Sequence, residues 1–134
     1  MAQLKLEKRG HIALITMANP PANTWTYASL TELRDTVISL NNDKNIYALV
    51  ITGEGDKFFS AGADLKLFAD GDKAVASDMA RIFGEAFETL SSFRGVSIAA
   101  INGYAMGGGL EVALACDIRI AGQQAQMALP GPNA

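Results

Sequence analysis

The sequence has few of the residues that covalent cross-links and transition-metal sites require. Its 134 residues include one cysteine, Cys116, one histidine, His11, and one tryptophan. A single cysteine excludes an internal disulfide framework and is typical of a reducing compartment, so we expect a cytoplasmic protein. One histidine and one cysteine are too few for the usual transition-metal sites, and no metal site is predicted.

Charge is also scarce. Charged residues make up 19% of the chain, the net charge is −3, and no basic stripe is present, so we expect no nucleic-acid partner. The first residues lack the apolar core of a signal peptide, which also favours the cytoplasm. A hydrophobic content of 49% is typical of a globular chain, and residues 1–134 are predicted to form a single domain.

One apolar stretch, from Val96 to Ala115, is long enough to imitate a membrane span. It contains the charged residue Glu111 and several glycines, and Asp117 and Arg119 follow directly. A buried strand, a turn and a helix explain this composition better than a span does. The sequence therefore predicts no membrane association.

Apolar periodicity predicts strands that alternate with helices, which favours an α/β fold with a largely parallel sheet. Ser29 and Glu32 have the spacing of a capping box for the first helix. Residues 53–68 are predicted to be a loop that ends in a helical turn, and residues 126–134 a second loop. The predicted strands are 4–8, 11–17, 46–52, 96–101 and 117–121, and the predicted helices are 27–42, 79–93 and 107–116.

Three consecutive glycines, Gly107 to Gly109, separate a predicted strand from a predicted helix. The first N–H groups of such a helix are free, and glycine lets a ligand oxygen approach them. The Lys-Ser or Lys-Thr of a phosphate loop is missing, and Glu111 follows instead, which suits proton chemistry beside a carbonyl. Close packing would also require glycine, and the helix dipole alone favours Glu111, so this segment leaves both interpretations open.

A second loop of small residues, Ser60 to Ala63, follows another predicted strand. It too leaves backbone amides accessible, and Asp64 is placed to cap a short helix. Two such loops at the carboxyl ends of parallel strands can supply the two N–H groups that stabilise a developing oxyanion.

The segments "SAGADLK" and "AAINGYAMGGGLEVALACDIRIAG" together resemble the crotonase superfamily, the enoyl-CoA hydratase/isomerase family. The resemblance extends over residues 3 to 130. It implies a spiral of ββα units, acyl-CoA thioesters as substrates, and a homotrimer or hexamer. It implies no separate cofactor, because coenzyme A is part of the substrate.

The resemblance also implies roles for individual residues. The N–H groups of Ala63 and Gly108 match the oxyanion-hole positions of the family, and Glu111 matches the catalytic glutamate that activates water. The residues that match acyl-CoA-binding positions are Ala22, Ala61, Ala63, Asp64, Leu65, Gly107, Gly108 and Pro130.

Two features depart from the family pattern. Family members are about twice as long, so we expect the chain to be the N-terminal half of a crotonase-type spiral. Hydratases also carry a second glutamate after the proline of a motif that here is "MALPG", so that Gly131 stands in its place. Hydration of a 2-enoyl-CoA is the leading hypothesis. Isomerisation, decarboxylation, dehalogenation and non-catalytic acyl-CoA binding remain the alternatives.

Other conspicuous residues are predicted to be structural. Cys116 lies in an apolar run and is expected to be a buried thiol. Asp117 opens a predicted strand, and the apolar face of the helix around residues 79–93 is expected to belong to the core.

Overall fold

The computed structural model of the protein describes residues 3–63 and 71–128. Eight strands and three helices lie within these residues, and the predicted α/β fold is confirmed. The elements are β1 Leu4–Arg9, β2 Ile12–Met17, α1 Tyr27–Asn41, β3 Ala48–Gly53, β4 Phe58–Ser60, α2 Lys73–Ser91, β5 Val96–Ile101, β6 Tyr104–Met106, α3 Gly108–Leu114, β7 Ile118–Ala121 and β8 Gln126–Ala128.

The strands form two sheets. The larger has the order β1-β2-β3-β5-β7, antiparallel only between β1 and β2, and the smaller is the parallel sheet β4-β6-β8. Each of β3, β5 and β7 is followed along the chain by a strand of the small sheet. The prediction of loops at residues 53–68 and 126–134 is therefore wrong for β4 and β8. Three-residue strands are too short for periodicity to mark.

The first helix begins where the sequence predicts, but its cap differs. Thr26 is the N-cap, its hydroxyl accepts from Ser29 N at 3.1 Å, and Ser29 Oγ accepts from Thr26 N at 2.9 Å. The predicted capping box of Ser29 with Glu32 is wrong. The Glu32 carboxylate instead accepts from Gln3 N at 3.1 Å, which ties α1 to the start of β1.

The hydrophobic core lies between the large sheet and the helix pair α1 and α2. The predicted apolar face of α2 is confirmed as core, but its aromatic residues Phe83 and Phe87 are only partly buried. The buried apolar residues of the two helices are Leu30, Leu33, Val37, Leu40, Met79, Ile82, Ala86 and Leu90.

The apolar stretch that imitates a membrane span folds as two strands and a helix, because the short strand β6 lies where only a turn was predicted. Its first part is β5 and its last part is the seven-residue α3. Within the described ranges, no helix has the length and apolar character needed to cross a membrane.

Candidate functional site

Each glycine of the triplet has a different structural reason. Gly107 is the N-cap of α3 and has φ +53°, a conformation that L-residues rarely adopt. A Cβ on Gly108 would lie 3.0 Å from the ring of Phe83, and a Cβ on Gly109 would lie 2.7 Å from the carbonyl carbon of Ser60. The triplet is thus a helix start that packs closely against both α2 and the end of β4.

The two predicted glycine loops meet. Gly62 has φ +99°, and a Cβ there would lie 3.0 Å from Gly108 N and 3.0 Å from Met106 O. Covalent geometry then puts the nitrogens of Ala63 and Gly108 no more than about 7 Å apart. Two N–H groups that bind the same oxygen at about 2.9 Å have nitrogens at most about 6 Å apart. The upper limit for Ala63 and Gly108 is compatible with that geometry.

The N–H groups of Ala63 and Gly108 have no backbone acceptor among residues 3–63 and 71–128. Gly108 is the first residue of α3 and so has no intrahelical acceptor. Trp25 N donates to the carbonyl of Gly62 at 2.7 Å, and no described residue accepts a backbone hydrogen bond from the N–H of Ala63. Two unpaired donors on touching loops can hold an oxygen that gains negative charge.

Glu111 lies in the first turn of α3, where its N–H donates to Gly107 O at 3.0 Å. It shares a helix face with Gly108, three residues earlier. Its side chain is exposed, and no described residue forms a hydrogen bond or ion pair with the carboxylate. A carboxylate in this position is available to accept a proton from water.

The loop before α1 holds the second glycine loop in place. Ala61 N donates to Ala22 O at 3.0 Å, and Trp25 forms a parallel bridge with Ala63. The structure thus brings Ala22 close to the loop of Ala61 and Ala63, and their role in binding acyl-CoA stays a prediction. The predicted site residues Asp64, Leu65 and Pro130 lie outside the described residues, as does Gly131.

Comparisons of the sequence and of the structure with known proteins identify the same family. The family described as enoyl-CoA hydratase/isomerase matches residues 7–134. A probable enoyl-CoA hydratase of Bacillus subtilis is 40% identical over 126 residues, which are 91% of this chain and 47% of that protein.

This chain belongs to the enoyl-CoA hydratase/isomerase family.

Solved structures agree with this membership in the hydratase/isomerase family. Pseudomonas aeruginosa DspI superposes with a TM-score of 0.95 at 71% identity, over 97% of this chain and 53% of that one. An enoyl-CoA hydratase of Bacillus anthracis superposes with a TM-score of 0.91 at 33% identity, over 95% of this chain and 50% of that one. The chain therefore spans about half the length of the hydratase/isomerase relatives that it matches.

Two buried polar side chains, Asn23 and Ser60, fix the loops of the candidate site, and the sequence predicts this role for neither. Asn23 is buried, and its amide donates to Phe58 O at 3.1 Å and Glu54 O at 3.2 Å. Ser60 Oγ donates to Asn23 O at 2.8 Å and accepts from Gly62 N at 3.2 Å. Apart from the contact between Ser60 and Gly62, these partners are at least 31 positions apart in the sequence, so no local pattern predicts them.

Three aromatic side chains of this family member contact one another in series next to the two glycine loops. Phe83 packs against Gly108, Phe87 forms a T-shaped contact with Phe83 at 5.3 Å, and Trp25 contacts Phe87 at 6.3 Å. Trp25 is 1% exposed, and its Nε1 has no hydrogen-bond partner in the part of the chain that the structure describes. The only tryptophan of the sequence thus adjoins the site, where its fluorescence can report binding.

Cys116 and Asp117 are structural, as predicted. Asp117 accepts from Ser97 N at 3.0 Å, and Ser97 Oγ accepts from Asp117 N at 2.9 Å. Burial raises the pKa of the Cys116 thiol to about 12, against the opposing effect of a hydrogen bond with Ser97. Between about pH 9 and 12 the unfolded thiol loses its proton while the folded thiol keeps it. The free energy of unfolding therefore falls as the pH rises through this range.

We expect Cys116 to resist alkylation in the folded protein. At about pH 8 the native thiol should react with iodoacetamide about 100-fold or more slowly than the urea-unfolded chain, because thiolate is scarce and access is blocked. Mass spectrometry of timed samples measures both rates. Equal rates in the two states would contradict the assigned burial.

Proposed function

We propose that the protein adds water to the double bond of a 2-enoyl-CoA thioester. The observation that carries this proposal is the meeting of Gly62 with Gly108, with Glu111 one turn further along α3. The names of the relatives support it, because they include enoyl-CoA hydratases. The chain spans about half of those relatives, so the proposal concerns the protein at their length.

In this proposal the thioester oxygen binds to the N–H groups of Ala63 and Gly108. As the carbonyl becomes an enolate, the oxygen gains negative charge, which these donors stabilise more strongly than the ground state. The positive end of the α3 dipole acts on the same oxygen. The remaining residues proposed to bind the acyl-CoA are Ala22, Ala61, Asp64, Leu65, Gly107 and Pro130.

Glu111 moves the proton. Its carboxylate takes a proton from water as the water oxygen forms a bond with C3, and the electrons of the double bond shift toward the thioester oxygen. Collapse of the enolate then forms the C2–H bond. Since Gly131 replaces the second glutamate of the hydratases, we propose that Glu111 itself returns the proton to C2.

A direct test uses a chimera in which this chain is joined to the remaining half of P. aeruginosa DspI, which is 71% identical over the shared half. We call it the completed chimera. Incubated with crotonyl-CoA, it should remove the conjugated double bond, which is followed by ultraviolet absorbance. No loss of absorbance at any enzyme concentration would contradict the proposal.

The glycine at position 131 favours a second candidate, an enolate reaction that does not end in hydration, such as isomerisation. This candidate predicts that a 3-enoyl-CoA gains conjugation, whereas hydration removes conjugation from a 2-enoyl-CoA. A non-catalytic acyl-CoA-binding role predicts neither change, but a shift in Trp25 fluorescence when butyryl-CoA is added.

We also propose assembly as a homotrimer or hexamer, which light scattering tests.

A further inference from the structure

We propose that Phe83 is a specificity-determining residue that excludes acyl groups branched near the thioester. The proposal rests on the proposed function, because it takes Gly108 as a donor to the thioester oxygen. Phe83 lies on α2, one face of which belongs to the core, and its ring is only partly buried. It faces the helix start that carries the proposed donor.

The ring lies close to where the acyl group must begin. Its Cε1 and Cζ atoms are 3.0 and 3.4 Å from the position of a Cβ on Gly108. Covalent geometry therefore puts Cε1 within about 5.5 Å of the Gly108 nitrogen. An oxygen bound to that N–H lies about 2.9 Å from the same nitrogen. Cε1 and that oxygen are thus no more than about 8.5 Å apart, which allows the ring to contact the first carbons of the acyl group.

The ring is also held in place. Phe87 meets it at an interplanar angle of 78°, and Trp25 meets Phe87 at 71°. The backbone of Trp25 in turn bridges Ala63, the second proposed donor. Because the Phe83 ring packs against Phe87, it cannot move away from an added methyl group. A straight enoyl group fits beside it, whereas a methyl on C2 or C3 meets the ring.

The test compares three substrates in the completed chimera: crotonyl-CoA, 2-methylcrotonyl-CoA and 3-methylcrotonyl-CoA. Phe83→Leu should raise the ratio of kcat/KM for a branched substrate to that for crotonyl-CoA about tenfold or more. Phe83→Met should do the same with an unbranched side chain that adapts to the surrounding core, and it decides the question if the leucine variant fails to fold. Phe93→Leu is the matched control, because Phe93 is buried beyond the other end of α2.

The outcomes separate the two proposals. A raised ratio in the Phe83 variants, with an unchanged ratio in Phe93→Leu, supports the assigned role. An unchanged ratio in folded Phe83 variants overturns it and leaves the hydration proposal standing. If the unsubstituted chimera hydrates none of the three substrates, the proposed function fails, and the inference fails with it.

Discussion

Replacement of Glu111 by glutamine is expected to reduce kcat for crotonyl-CoA hydration about 10²- to 10⁴-fold in the completed chimera. Glutamine keeps the size and position of the side chain but cannot accept the proton of the attacking water. Because the side chain is exposed at the start of α3, folding should not depend on its charge. Steady-state kinetics with crotonyl-CoA measure the effect.

Binding separates a loss of chemistry from a loss of structure in the Glu111→Gln variant. The proposed donors are backbone groups of Ala63 and Gly108, so the affinity for butyryl-CoA, followed by Trp25 fluorescence, should stay within a few-fold of the parent. Glu88→Gln removes an exposed carboxylate from α2 and should leave both quantities unchanged. A Glu111→Gln variant with normal kcat would contradict the role of this carboxylate.

The second large effect is expected at Gly109. An alanine there puts its Cβ 2.7 Å from the carbonyl carbon of Ser60 and 2.9 Å from its Cβ, a clash with backbone that no side-chain rotation relieves. We expect a loss of about 3 kcal/mol in the free energy of unfolding, at the upper end of over-packing effects. The melting temperature, followed by circular dichroism, should fall by roughly 10 °C.

Gly84 provides a matched control for the Gly109→Ala variant. It is exposed on α2, and a Cβ at this position meets nothing within 4 Å. Gly84→Ala should therefore raise the stability by about 0.5–1 kcal/mol, because alanine favours the helix. The same substitution thus has opposite signs at the two sites. Similar melting temperatures for both variants would show that α3 does not pack against Ser60 as described.

The long elements were predictable from the sequence because their periodicity is strong. Helix α1 and strand β5 lie where the apolar spacing puts them, whereas α2 begins at Lys73, six residues before its predicted start. The cap of α1 was not predictable from spacing alone, since Thr26 with Ser29 and Ser29 with Glu32 both have the required interval. Only the tertiary contact of Glu32 with Gln3 distinguishes the two possibilities.

The glycine triplet shows where prediction from the sequence ends. The sequence predicts a strand-to-helix turn at Gly107 and a carboxylate one turn later, and both are present. It does not indicate that Gly109 packs on Ser60 or that Gly108 packs on Phe83, because these partners are remote in sequence. For the same reason the apolar face of α2 predicts Phe83 to be a core residue, whereas its ring is only partly buried and packs against Gly108.

We expect the loops Ser60–Ala63 and Gly107–Gly109, together with Glu111, to add water to an enoyl thioester. The most direct measurement is the mass of the product that the completed chimera forms from crotonyl-CoA. We predict a product heavier by one water molecule, formed by the parent and not by the Glu111→Gln variant. A product of unchanged mass with a shifted double bond, or crotonyl-CoA recovered intact, would contradict the account.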